Sequence, residues 1–245
     1  MVHKPCAVIP VYDHEQAIPA VVTDLLRAGL PCVLVDDASH APCAHVLQQL
    51  AEQEQVHLVT LKTNQGKGGA VMAGLREAAR LGFSHALQVD ADGQHNLADV
   101  SLFLGQSQAY PQALVCGYPQ YDASVPKGRL YARYLTHVWV WINSLSLQIP
   151  DSMCGFRVYP LPATLALIDS VALGRRMDFD PEILVRLAWR EQPMRWLPTR
   201  VHYPQDGRSH FRLVHDNALI SKMHAKLFFG MLVRAPRILW RRWCR

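Results

Sequence analysis

Five short apolar runs recur through the first 120 residues: CAVIPVY (6–12), CVLVDD (32–37), VHLVTL (56–61), HALQVD (85–90) and ALVCGY (113–118). Each is rich in β-branched residues and too short for a buried helix, so each predicts a strand. Between them lie segments with helical spacing, roughly 15–28, 41–54, 67–81 and 97–108. Continuous apolar strands alternating with amphipathic helices predict an α/β fold with a mostly parallel sheet covered on both faces. Right-handed crossovers then bring the C-terminal ends of the strands to one edge. Open α/β sheets bind their ligands along that edge.

After residue 120 the alternation stops. PKGRLYARYLTHVWVWINSLSLQI (126–149) reads as one helix with Lys127, Arg129 and Arg133 near its start. PDSMCGFRVYP (150–160) reads as a loop, followed by helices near 161–170 and 180–191, a short strand near 194–202, and the polar YPQDGRSHFR. From about 216 an amphipathic, then largely apolar, basic helix is expected to break at Pro236. The chain divides on this reading into an α/β body, 1–215, and a basic amphipathic C-terminal helical tail, 216–245.

The net charge of +5 over 245 residues is unevenly placed. From Asn217 onward there are seven Lys or Arg and no acid, whereas the first 216 residues carry 18 basic and 20 acidic side chains. The body is close to neutral and the tail holds the excess, which suits an anionic membrane surface. The alternative is a packed C-terminal helix with a solvated basic end. No nucleic-acid motif accompanies the charge, so nucleic acid is not an expected partner. The six cysteines show no C-x-x-C pair and fit reduced thiols in a cytosolic protein. No run of about 18 apolar residues is present to span a bilayer.

The strand ends carry the chemistry. Tyr12, Asp13, His14 and Glu15 follow the first run, and Asp36, Asp37 and Ser39 end the second. Asn64, Gln65, Gly66 and Lys67 end the third, and Asp90, Asp92 and Gln94 the fourth. Asp90 and Asp92 flank one residue just past a strand, where i and i+2 share a side. Two converging carboxylates repel unless a cation lies beside them, and Mg²⁺ takes one or two carboxylates together with substrate phosphates. An acid in LVDDAS suits a ribose or base hydroxyl, or caps the next helix. NQGKGGAVMAGL lacks both the P-loop and the G-x-G-x-x-G spacings. Its small residues Ala70, Ala73, Gly74 and Ala78 suit close helix–sheet packing, with Lys67 left as a donor contact.

These segments jointly resemble the family 2 glycosyltransferases of GT-A fold, most of all the dolichyl- and polyprenyl-phosphate sugar transferases. PVYDHE resembles that family's P-x-Y-N-E, VDDAS its V-D-D-G-S, GKGGAVMAG its K-G-x-x-x-A-x-x-x-G, and DADGQH its D-A-D-x-Q-H. DSMCGFRVY resembles D-x-x-C-G-F-[KR], and MDFDPEILVRL an E-F-x-x-E-[IL]-L segment. The resemblance implies that Pro10, Tyr12, Glu15 and Asp37 line a nucleotide site. It implies Asp90, Asp92 and Gln94 around Mg²⁺ or Mn²⁺ on the donor diphosphate. An acceptor side would comprise Asp151, Gly155, Phe156 and Arg157, with Arg129 and Arg133 nearby. Arg208 and Ser209 resemble a loop that closes over donor phosphates. Asp13 replaces the usual Asn, His210 a common Lys, and Asp178 a Glu.

The activity so implied is inverting transfer from a GDP- or UDP-sugar to a lipid-linked acceptor, on the cytoplasmic face of a membrane. A lipid phosphate is already ionised and needs no protein base, whereas an alcohol does. In the second case Asp151, Asp178 or Glu182 are the candidates. Two other functions remain open at this stage: a sugar-1-phosphate nucleotidyltransferase, and a nucleotide-sugar-binding protein without turnover.

Overall fold

The computed structural model describes residues 2–120, 127–200 and 212–243. Along the chain run β1 (Pro5–Val11), α1 (Ile18–Arg27), β2 (Cys32–Asp36), α2 (Ala41–Leu50), β3 (Val56–Thr60), α3 (Lys67–Arg80) and β4 (His85–Gln88). A 3₁₀ turn at Leu97–Asp99 leads into α4 (Val100–Ala109), then β5 (Leu114–Gln120), α5 (Lys127–Ser144), β6 (Arg157–Pro160) and α6 (Leu161–Ile168). α7 (Phe179–Trp189), β7 (Met194–Arg200) and α8 (Leu213–Trp243) complete the order.

The strands form one seven-stranded sheet in the order β3-β2-β1-β4-β6-β5-β7. β6 runs antiparallel to β4 and β5, and every other pairing is parallel. Alternate residues of β1 serve opposite faces: Cys6 and Val8 pack in one core, Ala7, Ile9 and Val11 in the other. The first core also takes residues of α3, α6, α7 and α8, and the second those of α1, α2 and α4. Burial on both faces explains why these strands read as continuous apolar runs.

Small residues set the fit of α3 against the sheet, as its sequence suggested. A Cβ at Gly74 would lie 2.4 Å from Val8 Cγ1 and 2.9 Å from Val35 Cγ2. At the helix start, a Cβ at Gly68 would meet Phe179 Cβ at 2.4 Å, so α3 and α7 touch end to end.

Two expectations are corrected. Residues 157–160 form a strand within the stretch read as loop. β6 is short and puts a fully buried arginine inward, so it lacks the apolar signal that marks the others. The helix near the C-terminus also does not break at Pro236 but continues from Leu213 to Trp243. Proline removes the N–H that would bind the carbonyl four residues earlier. That residue, Leu232, lies half exposed, so water can satisfy its carbonyl. The first half of α8 belongs to the main core through Ile220, Met223 and Leu227. No described helix is long and apolar enough to cross a membrane.

Candidate active site

β2, β1 and β4 end side by side, so their C-terminal loops share one edge. The Asp37 N–H donates to the Val11 carbonyl at 2.9 Å, and the Val89 N–H to the Val8 carbonyl at 3.1 Å. Pro10 and Tyr12 lie at the end of β1, with the Tyr12 ring 6.4 Å from His40. Glu15 follows in the same half-buried loop. Asp37 is buried, and its two oxygens accept the N–H groups of Gln65 (2.6 Å) and Gly66 (2.8 Å). Burial pushes the Asp37 pKa up, while those two N–H groups and Arg176 oppose the rise. Asp36 likewise accepts the Ser39 N–H at 2.8 Å. Both acids therefore brace the loops, and Asp37 fixes the turn that launches Lys67 at the start of α3.

Lys67 reaches from that turn to the Asp-x-Asp pair. Its Nζ lies 2.8 Å from Asp90 Oδ1 and 2.9 Å from Asp90 Oδ2, and 3.1 Å from Asp180 Oδ2. Burial acts against charge on Lys67, yet Asp180 and Asp90 outweigh it and raise its pKa. Burial also works against the Asp90 carboxylate, but Lys67 and His95 lower its pKa well below the usual range. His95 Nε2 stands 3.3 Å from Asp90 Oδ2, with its ring 5.1 Å from that of Phe156. Asp92 differs. Its Oδ1 accepts the Gln94 backbone N–H at 3.0 Å, and no ion pair to a described cation accompanies that bond. Burial and then the Asp90 charge raise its pKa. A cation placed near Asp92 would offset both causes.

Below this cluster lies a buried polar layer. Gln88 Nε2 donates to Asp180 Oδ1 at 3.3 Å, and Gln88 Oε1 accepts from the Tyr159 hydroxyl at 3.2 Å. Arg157 Nη1 donates to the Asp180 carbonyl at 2.9 Å, and Nη2 to the Ser152 carbonyl at 2.8 Å. The Arg157 and Phe156 side chains are fully buried, which corrects their expected place on an acceptor wall: they support the site from beneath. Gly155 does face the cluster. A Cβ there would lie 2.9 Å from Lys67 Nζ and 3.1 Å from Asp90 Oδ1.

Asp151 gathers a second charged group. Its Oδ2 accepts Arg133 Nε at 2.7 Å and lies 3.4 Å from His137 Nε2. Its Oδ1 accepts the N–H groups of Met153 (2.9 Å) and Cys154 (2.7 Å). Burial favours protonation, but the His137 and Arg133 contacts overturn that and hold the pKa far below normal. A carboxylate so stabilised is a poor proton acceptor and a good anchor for Arg133.

The other two candidate bases are placed as braces. Glu182, with a side chain 2% exposed, accepts the Gly174 N–H (2.6 Å) and Arg186 Nε (2.8 Å), and Lys226 Nζ at 3.3 Å. Three donors thus engage Glu182, which was a candidate base only for an alcohol acceptor. Asp178 is buried and accepts the Arg176 N–H at 3.0 Å. Asp180, between them in sequence, is the acid of this segment that touches Lys67. The sequence pattern marked its two neighbours, and periodicity gave no sign of which of the three faces the sheet edge. Arg208 and Ser209 lie outside the described residues, as does the Arg129 side chain.

Among the described residues no three His, Cys, Asp or Glu gather into a self-sufficient metal site. The donor set fits a cation shared with a ligand, with Asp92 the carboxylate not yet neutralised.

The fold is that of the GT-A glycosyltransferases. Glucosyl-3-phosphoglycerate synthase from Mycobacterium tuberculosis, solved with phosphoglyceric acid, matches with a TM-score of 0.69 at 12% identity, over 94% of this chain and 80% of that one. A mannosyltransferase from Pyrobaculum calidifontis, solved with GDP-Man and Mn²⁺, matches with a TM-score of 0.58 at 15% identity, over 94% and 64%. The chain belongs to glycosyl transferase family 2, whose model matches residues 6–173. A dolichyl-phosphate beta-glucosyltransferase of Mus musculus is 27% identical over 72% of this chain and 60% of its own length. An undecaprenyl-phosphate mannosyltransferase of Micrococcus luteus is 28% identical over 70% and 74%. The chain thus spans about 60% of the length of the dolichyl-phosphate enzymes it matches.

Proposed function

We propose that this protein transfers a sugar, with inversion, from a nucleotide diphosphate sugar to a polyprenyl-phosphate or similar lipid-linked acceptor. One observation carries the reading. At the C-terminal edge of the sheet, Asp92 is half-buried with a raised pKa, beside an Asp90 already neutralised by Lys67. Such a pair suits a divalent cation held jointly with a diphosphate. The names of the relatives, dolichyl-phosphate beta-glucosyltransferase and undecaprenyl-phosphate mannosyltransferase, support the acceptor class.

In this reading Asp92, with Gln94 beside it, would hold Mg²⁺ or Mn²⁺. When bound, the cation supplies charge neutralisation at the leaving nucleoside diphosphate. The protein's own groups do the rest. Tyr12 and the Asp37-braced loop shape the nucleotide side. Lys67 and Asp180 hold Asp90 in place. Asp151 fixes Arg133, whose guanidinium suits an acceptor phosphate. An ionised phosphate needs no general base, and this fits the engagement of Asp151 and Glu182 by several donors each. The acceptor is a lipid, so we also place the protein peripherally on the cytoplasmic face of a membrane.

The decisive experiment assays metal-dependent transfer from UDP- and GDP-sugars to a short polyprenyl phosphate. Asp92→Asn is expected to lower kcat/KM by about a hundredfold or more. Full metal-dependent activity in that variant would overturn the site.

A further inference from the structure

Three carboxylates, Asp90, Asp92 and Asp180, stand at the sheet edge, and the Lys67 ammonium pairs with two of them. The backbone carries Lys67 to that point. Gly66, at φ 81°, turns the chain into α3, and its N–H is held by Asp37. The Gly69 N–H donates to the Arg175 carbonyl at 2.9 Å. Gln88 and Arg157 hold Asp180 from beneath. The missing side chain of Gly155 leaves the space that Nζ fills.

Lys67 Nζ donates a hydrogen bond to Asp90 Oδ2 at 2.9 Å and holds the other oxygen by charge alone. Asp90 Oδ1 is buried, lies 2.8 Å from Nζ, and accepts no aligned hydrogen bond. Its charge is balanced by the ammonium, whereas Asp92 lacks a cationic partner among the described residues. Affinity for a hard cation rises with the number of charged oxygens available to it. A site reduced to one free carboxylate binds such a cation weakly until a diphosphate adds its own oxygens.

We infer that Lys67 is a resident cation that withholds Asp90 from the metal, so that Mg²⁺ or Mn²⁺ is acquired with the donor diphosphate and not by the protein alone. Lys67 is on this account a positioning residue that sets metal affinity through Asp90. With Asp90 held by Lys67, the protein's own carboxylates would retain a cation only weakly once the nucleoside diphosphate had left. The inference rests on Asp92 as the metal carboxylate.

The test measures Mn²⁺ binding to the full chain by electron paramagnetic resonance, with Mn²⁺ alone and with UDP or GDP added. For the unaltered protein, nucleotide is expected to tighten Mn²⁺ binding strongly. Lys67→Met releases Asp90, and Kd for Mn²⁺ alone is expected to fall about tenfold, with a smaller further gain from nucleotide. Gly155→Ala keeps every charge but puts a methyl group 2.9 Å from Nζ and 2.8 Å from Gln88 Nε2, crowding the Lys67–Asp90 pair, and is expected to shift Kd the same way. It decides the matter if Lys67→Met fails to fold once its ion pairs to Asp90 and Asp180 are lost. If neither variant tightens Mn²⁺ binding, the role of Lys67 is overturned while the metal site stands. If Asp92→Asn binds Mn²⁺ with nucleotide as well as the unaltered protein does, the metal site fails and this inference with it.

Discussion

Ala38 and Asp13 stand at φ 60° and 54° on the loops that follow β2 and β1 at the sheet edge. Aspartate tolerates the left-handed region because its carboxylate finds local partners. Asp13 does so here, accepting the His40 N–H at 2.8 Å and meeting His40 Nδ1 at 2.7 Å. Alanine has no such compensation, and its Cβ costs about 1–2 kcal/mol in this region. Glycine would remove that strain but lose more entropy on folding. Ala38→Gly is therefore expected to stabilise by about 0.5–1 kcal/mol and raise Tm by roughly 1–4 °C, as read by thermal unfolding. A lower Tm would show that the loop gains from Ala38 in some other way. The same loops show the limit of reading residues singly. Asp36 and Asp37 announce themselves in sequence as ligands, yet the carboxylates of both accept backbone N–H groups. Asp90 and Asp92 were legible because i, i+2 geometry past a strand needs no knowledge of the rest of the fold. The partners of Asp90 were not, since Asp180 is 90 residues away in sequence and reaches it only through Lys67.

Elements follow the same division between local and distant causes. The five strands and four helices of the first 120 residues were legible because each carries its own periodicity. β6 was not, because a strand that buries Arg157 is defined by partners on α7 and in the 151–156 loop. The fit of α3 was legible in its small residues, and Gly74→Ala is expected to destabilise by about 1–3 kcal/mol. A urea titration checks this, and no loss would mean that Val8 and Val35 can move aside. The α5–α8 contact makes a pH prediction. His224 on α8 is buried against α5, with Asn143 Nδ2 3.2 Å from its Nδ1 and the Trp139 ring stacked at 6.1 Å. Burial lowers its pKa from 6.5 to about 4. The folded state thus favours the neutral ring, and stability present above pH 6.5 is lost as pH falls toward 4. Below that both states are protonated and the loss stops growing. Urea unfolding at several pH values should show His224→Asn with a flatter profile between pH 6.5 and 4. Parallel profiles would remove His224 from the acid sensitivity.

At the scale of the whole molecule, α5 and α8 lie side by side and both are apolar on the face turned away from the core. Tyr134, Leu135, Val138 and Ile142 form that stripe on α5, and Phe229, Leu232, Val233, Trp240 and Trp243 on α8. Trp139 and Phe228, with rings 6.4 Å apart, meet at the seam between the helices. Exposed apolar surface of this extent is unusual for a body that meets only water. The charge around it favours a lipid surface over a second copy of the chain. α8 carries Lys222, Arg234 and Arg237 and no acid after Asp216, so two such faces would repel each other, while anionic headgroups would attract each one. Arg133, the residue anchored by Asp151, precedes Tyr134 on α5, which would put the acceptor side near the headgroups. Flotation with vesicles containing about one-third phosphatidylglycerol tests this surface. Leu135→Glu and Val233→Glu are each expected to reduce the bound fraction several-fold, because each puts a charge into the apolar stripe. Raising salt should weaken binding without abolishing it, since screening acts on the arginines and lysines but not on the buried apolar contact. Transfer to a short, water-soluble polyprenyl phosphate should stay near normal in both variants, because neither residue contacts the Asp90–Asp92 edge. Unchanged flotation would leave the face without a lipid role, and a concentration-dependent dimer in sedimentation, lost in Leu135→Glu, would assign it to a second copy instead.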